Sequence, residues 1–294
     1  MPETSSINSR IIDYFKVWPQ YLIPQHSFSK IIYWLTRIQC KPWKNLIINQ
    51  FIDLYNVELN EAERESADNY ISFNDFFTRH LKKSARSWNL NKTSILSPVD
   101  GTISQIGKLD NNKIIQAKGK NYTIDTLLAN DANTIAKLND GFSTTLYLSP
   151  RDYHRIHMPV RGKLIKSIYV PGDLFAVNNA TVRNVDNLFS RNERFISIFE
   201  TDLGLMAKVM VGAIFVGSME TVWLGQLTPP YTRQLDIREY KENSVVLEQG
   251  QEFGHFNMGS TVILIFEKKY LCWLSSLGAD DSIQVGQELG KVIN

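Results

Sequence analysis

Met258-Gly259-Ser260-Thr261-Val262-Ile263-Leu264-Ile265-Phe266 sets a polar entry directly against an uninterrupted apolar run. A half-exposed strand would alternate polar and apolar residues, so this run reads as a strand buried on both faces. A serine at the mouth of such a strand is held in a fixed geometry. The glycine before it lacks a Cβ, which lets the backbone adopt shapes other residues resist. Together they offer a hydroxyl that could attack its own preceding carbonyl. Gly-Ser-Thr is also a common turn sequence, so the tripeptide gains force only from two other stretches. Asp152-Tyr153-His154-Arg155-Ile156-His157-Met158-Pro159 and Ser97-Pro98-Val99-Asp100-Gly101-Thr102 supply the base and the carboxylate that would activate the serine.

Working outward, the chain from about residue 94 is a series of short alternating or apolar runs between Gly, Pro, Asn and Asp clusters. Thr102–Ile106, Lys113–Gln116, Ser143–Leu148, Leu164–Val170, Phe195–Phe199, Leu205–Val211 and Ser244–Leu247 are read as strands beside Thr261–Phe266. This spacing predicts an antiparallel sandwich or barrel, with helical turns near Asp125–Ala129 and Asn178–Asn184. Residues 8–90 read as helical instead. Phe28, Ile31, Ile32, Leu35 and Ile38 form one apolar stripe between Pro24 and Pro42, and Leu46, Ile47, Phe51, Ile52 and Tyr55 form a second. A third helix is expected after Asn74 as its cap, with Phe76, Phe77 and Leu81 inward. The expected fold is α+β: N-terminal amphipathic helices (1–90) packed on a mainly antiparallel, sandwich-like or barrel-like domain (91–294).

With 294 residues, 43% of them hydrophobic, and a formal charge of +2, the composition is that of an ordinary globular protein. Cys40 and Cys272 match no metal or redox spacing and are expected to be plain buried side chains in a reducing compartment. No stretch approaches the roughly 20 apolar residues of a membrane span. The start of the chain has neither signal-peptide nor transit-peptide character, so a protein neither secreted nor membrane-spanning is expected. Residues 1–50 carry a net +4 and many aromatic residues, among them Trp18, Trp34 and Trp43. Such helices suit either core packing or a membrane interface. The rest of the chain lacks the basic stripe that nucleic acid would require.

Of five histidines, His154 and His157 stand three apart. On an extended segment they would face opposite sides and serve different sites; on a helical turn they would share a face. No third ligand at a metal-binding spacing accompanies them. Asp100 lies in a turn signature of its own.

Taken together, these blocks resemble the phosphatidylserine decarboxylases of the shorter bacterial type. The resemblance runs in order through Phe73-Asn74-Asp75-Phe76-Phe77, Ser97–Gly101, Gln116–Tyr122, Leu148–Pro159, Val170–Asn178, Asn187–Arg194, Val211–Ala213 and Val216–Trp223 to Gly259-Ser260-Thr261. The family commonly has Leu-Gly-Ser-Thr at the last of these. Here Met258 replaces the leucine, a swap close in volume. The resemblance implies two reactions. In the first, Asp100 orients His157, which takes the proton of Ser260. The serine oxygen then attacks the Gly259 carbonyl, and the chain divides into 1–259 and 260–294 with a pyruvoyl group at Ser260. In the second, that group forms a Schiff base with the amine of phosphatidylserine, as pyridoxal phosphate would elsewhere, and phosphatidylethanolamine results. His154 is the residue implied to return the proton to Cα.

The resemblance further implies no pyridoxal phosphate and no metal. It implies a heterodimer of the two cleaved chains with further homo-dimerisation. The location implied is peripheral, on the cytoplasmic face of the inner membrane, through residues ~8–56. Two rivals differ in class. A serine hydrolase using Asp100, His157 and Ser260 on an external ester would keep an intact chain. A lipoyl-type carrier would need an exposed lysine at a hairpin tip, for which Lys118-Gly119-Lys120 is a poor substitute.

Overall fold

The computed structural model describes residues 13–14, 17–117, 120–214, 218–241, 244–258, 261–268 and 271–292. Gly259 and Ser260, on which the cleavage expectation falls, lie outside the described residues, as do Lys118 and Gly119. Three helices open the chain: α1 (Gln25–Leu35), α2 (Lys41–Tyr55) and α3 (Phe73–Phe77). Four more follow, of four to seven residues: α4 (Ile124–Leu127), α5 (Ala132–Leu138), α6 (Asn179–Asn184) and α7 (Leu188–Arg191).

The rest is antiparallel sheet. The largest runs, neighbour by neighbour, β12 (Asp236–Glu239), β7 (Gly162–Val170), β8 (Arg194–Thr201), β9 (Gly204–Val211), β15 (Thr261–Phe266), β5 (Phe142–Tyr147), β2 (Gly101–Lys108) and β17 (Ser282–Ile283), with β13 (Val246–Leu247) beside β7. Its two ends do not pair with each other, so it stays open rather than closing into a barrel. A second sheet orders β11 (Gly225–Gln226), β10 (Met219–Thr221), β14 (Glu252–Phe256) and β6 (Arg155–His157). A third orders β1 (Ser94–Leu96), β18 (Glu288–Val292) and β16 (Leu271–Trp273), and β3 (Lys113–Ala117) pairs with β4 (Lys120–Thr123).

The apolar run Val262–Phe266 sits at the centre of this arrangement. Every residue of β15 is buried, and Thr261 pairs with Tyr147 on one side and Val211 on the other. Both faces of the strand are covered, which is why its sequence does not alternate. The main core contains Val262, Leu264, Phe199, Phe253 and Phe256. A smaller cluster joins Ile48 of α2 to Tyr70, Phe73, Phe76 and Phe77, and Met258 packs against both clusters. The N-terminal helices therefore meet the sheets at Met258. Polar contacts fasten them: Gln25 Oε1 accepts from Leu174 N at 2.6 Å, the Tyr33 hydroxyl donates to Gln226 Oε1 at 2.8 Å, and Asn74 Nδ2 donates to Asn257 Oδ1 at 3.0 Å.

Two expectations are corrected. Ser72, not Asn74, caps α3, its Oγ accepting from Asp75 N at 3.2 Å. This is the usual N-cap contact three residues on. Both cysteines are exposed rather than buried. Cys40 precedes the first turn of α2, and Cys272 points outward from β16, an edge strand with alternating burial. The sequence left the facing of α1 open; Ile31 and Leu35 of its apolar stripe are exposed, while Phe28 and Ile32 are half-buried. Gln25 and Ser29 are the buried residues of the helix, whereas Ile31 and Trp34 are 55% and 66% exposed. Gln25 turns inward because its amide satisfies main-chain groups on both sides, accepting from Leu174 N of the loop beneath and donating to Gln20 O in the turn before the helix.

Candidate active site

Met258 and Thr261 flank the Gly259-Ser260 pair in sequence, and Met258 and the strand partner of Thr261 line one cavity. Met258 lines an apolar cavity of about 260 Å³ together with Phe51 and Tyr55 of α2, Phe77 of α3, Tyr147, Leu148 and Asn178. Tyr147 is the register partner of Thr261. A larger polar cavity of about 660 Å³ adjoins it, sharing Tyr55 and Pro150 and lined by Arg79, Arg86, Asp100, Asp152 and Tyr153.

Pro159 ends the His154–His157 segment, which is extended at its second half as β6. The two imidazoles accordingly occupy different surroundings. His157 Nδ1 lies 2.8 Å from the carbonyl oxygen of Gly250. A carbonyl only accepts, so Nδ1 carries the proton and Nε2 the lone pair. The Tyr153 hydroxyl, 3.1 Å away, donates to that lone pair. The Trp88 and Tyr153 rings lie against the imidazole, with centroids 5.0 and 5.8 Å from it. Burial pushes the His157 pKa down, with the Gly250 hydrogen bond opposing. His157 is thus a neutral imidazole with its basic nitrogen at Nε2. Gly250 presents its carbonyl from a left-handed backbone at φ +78°, which favours glycine.

His154 is fully buried. Its Nδ1 donates to the Asp152 carbonyl at 2.8 Å, and its ring packs on Phe77 at 4.1 Å between centroids. Its Nε2 has no hydrogen-bond partner among the described residues. Burial, reinforced by the Arg79 guanidinium, lowers its pKa to about 3. An orphaned lone pair on a fully buried ring is costly unless a group from outside the protein completes it.

Asp100 is buried at the wall of the polar cavity. Its carboxylate takes a two-pronged contact from Arg86, with Nε at 3.1 Å from Oδ1 and Nη2 on Oδ2, and accepts from Val285 N at 2.7 Å. Among the described residues no hydrogen bond joins it to His157. Its turn does reach that residue, because the Pro98 carbonyl accepts from His157 N at 2.8 Å. Gly101 lets the turn close against β5: a Cβ there would lie 2.2 Å from Tyr147 O. Gly250, Tyr153, Trp88, Tyr147 and Phe77 were not singled out as site residues from sequence. Tyr153 and Phe77 stand inside the diagnostic blocks, but a carbonyl such as that of Gly250 leaves no side-chain signal.

Among the described residues no three His, Cys, Asp or Glu side chains converge as a metal set. A family model described as phosphatidylserine decarboxylase matches residues 73–291, and one described as PSD matches residues 15–56. A phosphatidylserine decarboxylase proenzyme of Nitrosococcus oceani is 46% identical over 290 residues, 98% of this chain and 95% of the relative. Proteins of the same name from Methylococcus capsulatus and Glaesserella parasuis are 45% and 44% identical. They cover 92% and 94% of this chain, and 94% of each relative is matched.

Proposed function

This chain belongs to the phosphatidylserine decarboxylase family, and on that premise we propose that it cuts itself between Gly259 and Ser260 and then converts phosphatidylserine to phosphatidylethanolamine. His157 Nε2, given up by the Tyr153 hydroxyl, takes the Ser260 hydroxyl proton, and the oxygen attacks the Gly259 carbonyl, turning the peptide bond into an ester. Loss of the Ser260 Cα proton expels the Gly259 carboxylate and leaves dehydroalanine. Water then hydrolyses it, releasing ammonia and leaving a pyruvoyl group on residues 260–294. The Gly250 carbonyl fixes the tautomer of His157. Asp100 orients His157 through the Pro98 turn rather than through its carboxylate. The carboxylate, held by Arg86 and Val285, keeps that turn in place.

The surroundings suit a small keto group. Met258, Phe77 and Tyr147 wall the cavity, and the orphaned His154 Nε2 lies against Phe77. The pyruvoyl group supplies an electron sink for the substrate's amine-bearing carbon as carbon dioxide departs. His154 returns the proton to that carbon, and because Nε2 holds a lone pair in the free site, it must first take a proton up there. The lipid is met at the cytoplasmic face of the inner membrane by residues 8–56. Trp18, Leu22, Ile31, Trp34, Leu46 and Leu54 are exposed there beside Lys30, Lys41 and Arg37. No described helix is long and apolar enough to cross a membrane. The two products of cleavage remain a heterodimer, a reading supported by β15, which lies between β5 and β9 in the middle of the sheet. Pairing of two such heterodimers is part of the same proposal.

The observation that carries this reading is the orphaned His154 against Phe77, in the wall of the cavity that Met258 lines, with a neutral His157 three residues further on. Intact-mass spectrometry under denaturing conditions tests it. Two chains, 1–259 and 260–294, with the shorter one blocked by pyruvoyl, are expected. Ser260→Ala, His157→Ala and Asp100→Asn are expected to remain single chains, and two chains from Ser260→Ala would sink the assignment.

A further inference from the structure

Lys208 stands on β9, beside Ser197 of β8 and Leu264 of β15 in the sheet register, with its side chain wholly buried. Its Nζ donates to the carbonyl oxygen of His157 at 2.6 Å and lies 4.2 Å over the Phe253 ring. Among the described residues no carboxylate pairs with it. The charged groups nearest the His157 imidazole are Glu252 and Arg155, which pair with each other at 2.6 Å, and Lys208 itself. Burial pushes the Lys208 pKa well below that of an ordinary lysine. A methionine would fill the same space in the core without the loss of hydration that a buried amine suffers. The stability of the fold alone therefore gives no reason for a lysine here.

What the lysine does is hold one residue. The His157 main chain is gripped at both ends, its N–H by the Pro98 carbonyl at 2.8 Å and its C=O by Lys208. The neighbouring β6–β14 ladder shifts register between Glu252 and Gly254, so sheet pairing fixes this end of β6 less firmly than a regular ladder would. We propose that Lys208 is a positioning residue for self-cleavage, anchoring the end of β6 so that the His157 imidazole stays between the Gly250 carbonyl and the Tyr153 hydroxyl. This inference rests on the role of His157 proposed above.

The test compares Lys208→Met, which keeps the volume and removes the donor, with Lys208→Gln, which restores a neutral donor on a side chain one atom shorter. Full-length chain made by cell-free translation with anionic phospholipid vesicles is followed for appearance of the 1–259 fragment. Thermal stability is measured in parallel on the Ser260→Ala background, where no variant is cut. Lys208→Met is expected to melt no lower than its parent yet to cleave roughly 10- to 100-fold more slowly, the cost of a base displaced by a fraction of an ångström to an ångström. Lys208→Gln is expected to recover most of the rate. Cleavage of Lys208→Met at the parental rate overturns the proposal. So do equal slowing in both variants and slowing accompanied by a matching loss of stability. If His157→Ala also cleaves normally, or the parent does not cleave at all, the underlying assignment of His157 fails instead. The two failures are thereby told apart.

Discussion

His154 and His157 carry the same side chain in the same short segment, and their partners make them different reagents. Each donates Nδ1–H to a main-chain carbonyl, which leaves Nε2 as the acceptor. Tyr153 completes His157, while nothing described completes His154. His154→Ala is therefore expected to cleave as the parent does and to lose decarboxylation by at least ~100-fold, the usual worth of a proton-transfer group. Intact mass and carbon dioxide release read the two steps separately. The low pKa of His154 also has a stability consequence. Above about pH 6.5, where a histidine in an unfolded chain titrates, both states are neutral and the full stability is present. As pH falls from there towards 3, the unfolded chain takes up a proton that the folded site refuses, so stability is lost. The loss attributable to His154 is about 5 kcal/mol over that window. His154→Phe, which cannot titrate, should flatten the dependence of the melting temperature on pH between 6.5 and 4 compared with the parent.

At the scale of elements, the site depends on backbone geometry at the ends of strands. Gly250 turns its carbonyl to His157 from a left-handed conformation, and a Cβ there would stand 3.0 Å from Leu90 and 3.1 Å from Trp88. Gly250→Ala is expected to destabilise the fold by roughly 1–3 kcal/mol, the cost of a non-glycine residue held in that region. It should also slow self-cleavage out of proportion to that loss, because Trp88 and the carbonyl both contact His157. Equal cleavage rates in parent and variant would show that the loop does not set the imidazole. The central strand β15 is the opposite case. Its five apolar residues, Val262–Phe266, need only be well packed, so its identity as a strand follows from local sequence. Ile263→Ala should cost about 2–5 kcal/mol by chemical denaturation, as for a filled core site.

Across the whole molecule, the large apolar side chains left in solvent are concentrated on the first helices. Trp34 of α1 and Leu46 and Leu54 of α2 are exposed, while α2 covers the cavity through Phe51 and Tyr55. The two helices thus present apolar side chains outward, and α2 also walls the candidate site. Trp34→Ser combined with Leu46→Ser removes outer-surface area that touches neither core cluster. Stability should change by less than ~0.5 kcal/mol per site. Binding to anionic vesicles, followed by co-sedimentation, should weaken at least ~10-fold, since two large apolar side chains are withdrawn from the interface. Undiminished binding would assign the outer surface to another partner.

The alternation and apolar runs of residues 94–266 determine most strands of the large sheet, because burial on one or both faces leaves a period that local sequence records. Asp100, His154 and His157 stand out as candidates in the sequence for a related reason: they are of reactive types and lie in ordered blocks. Which way the first helices face was not legible. An amphipathic stripe fits a core or a membrane equally well, and only the seating of Gln25 and Ser29 against the sheets decided it. The true partners of the site residues were hidden as well. The Gly250 carbonyl, the Pro98 carbonyl, the Arg86 clasp on Asp100 and the Lys208 anchor act across long sequence separations, through main-chain atoms or buried charges. Such contacts are set by how the sheets stack, and no local pattern encodes them.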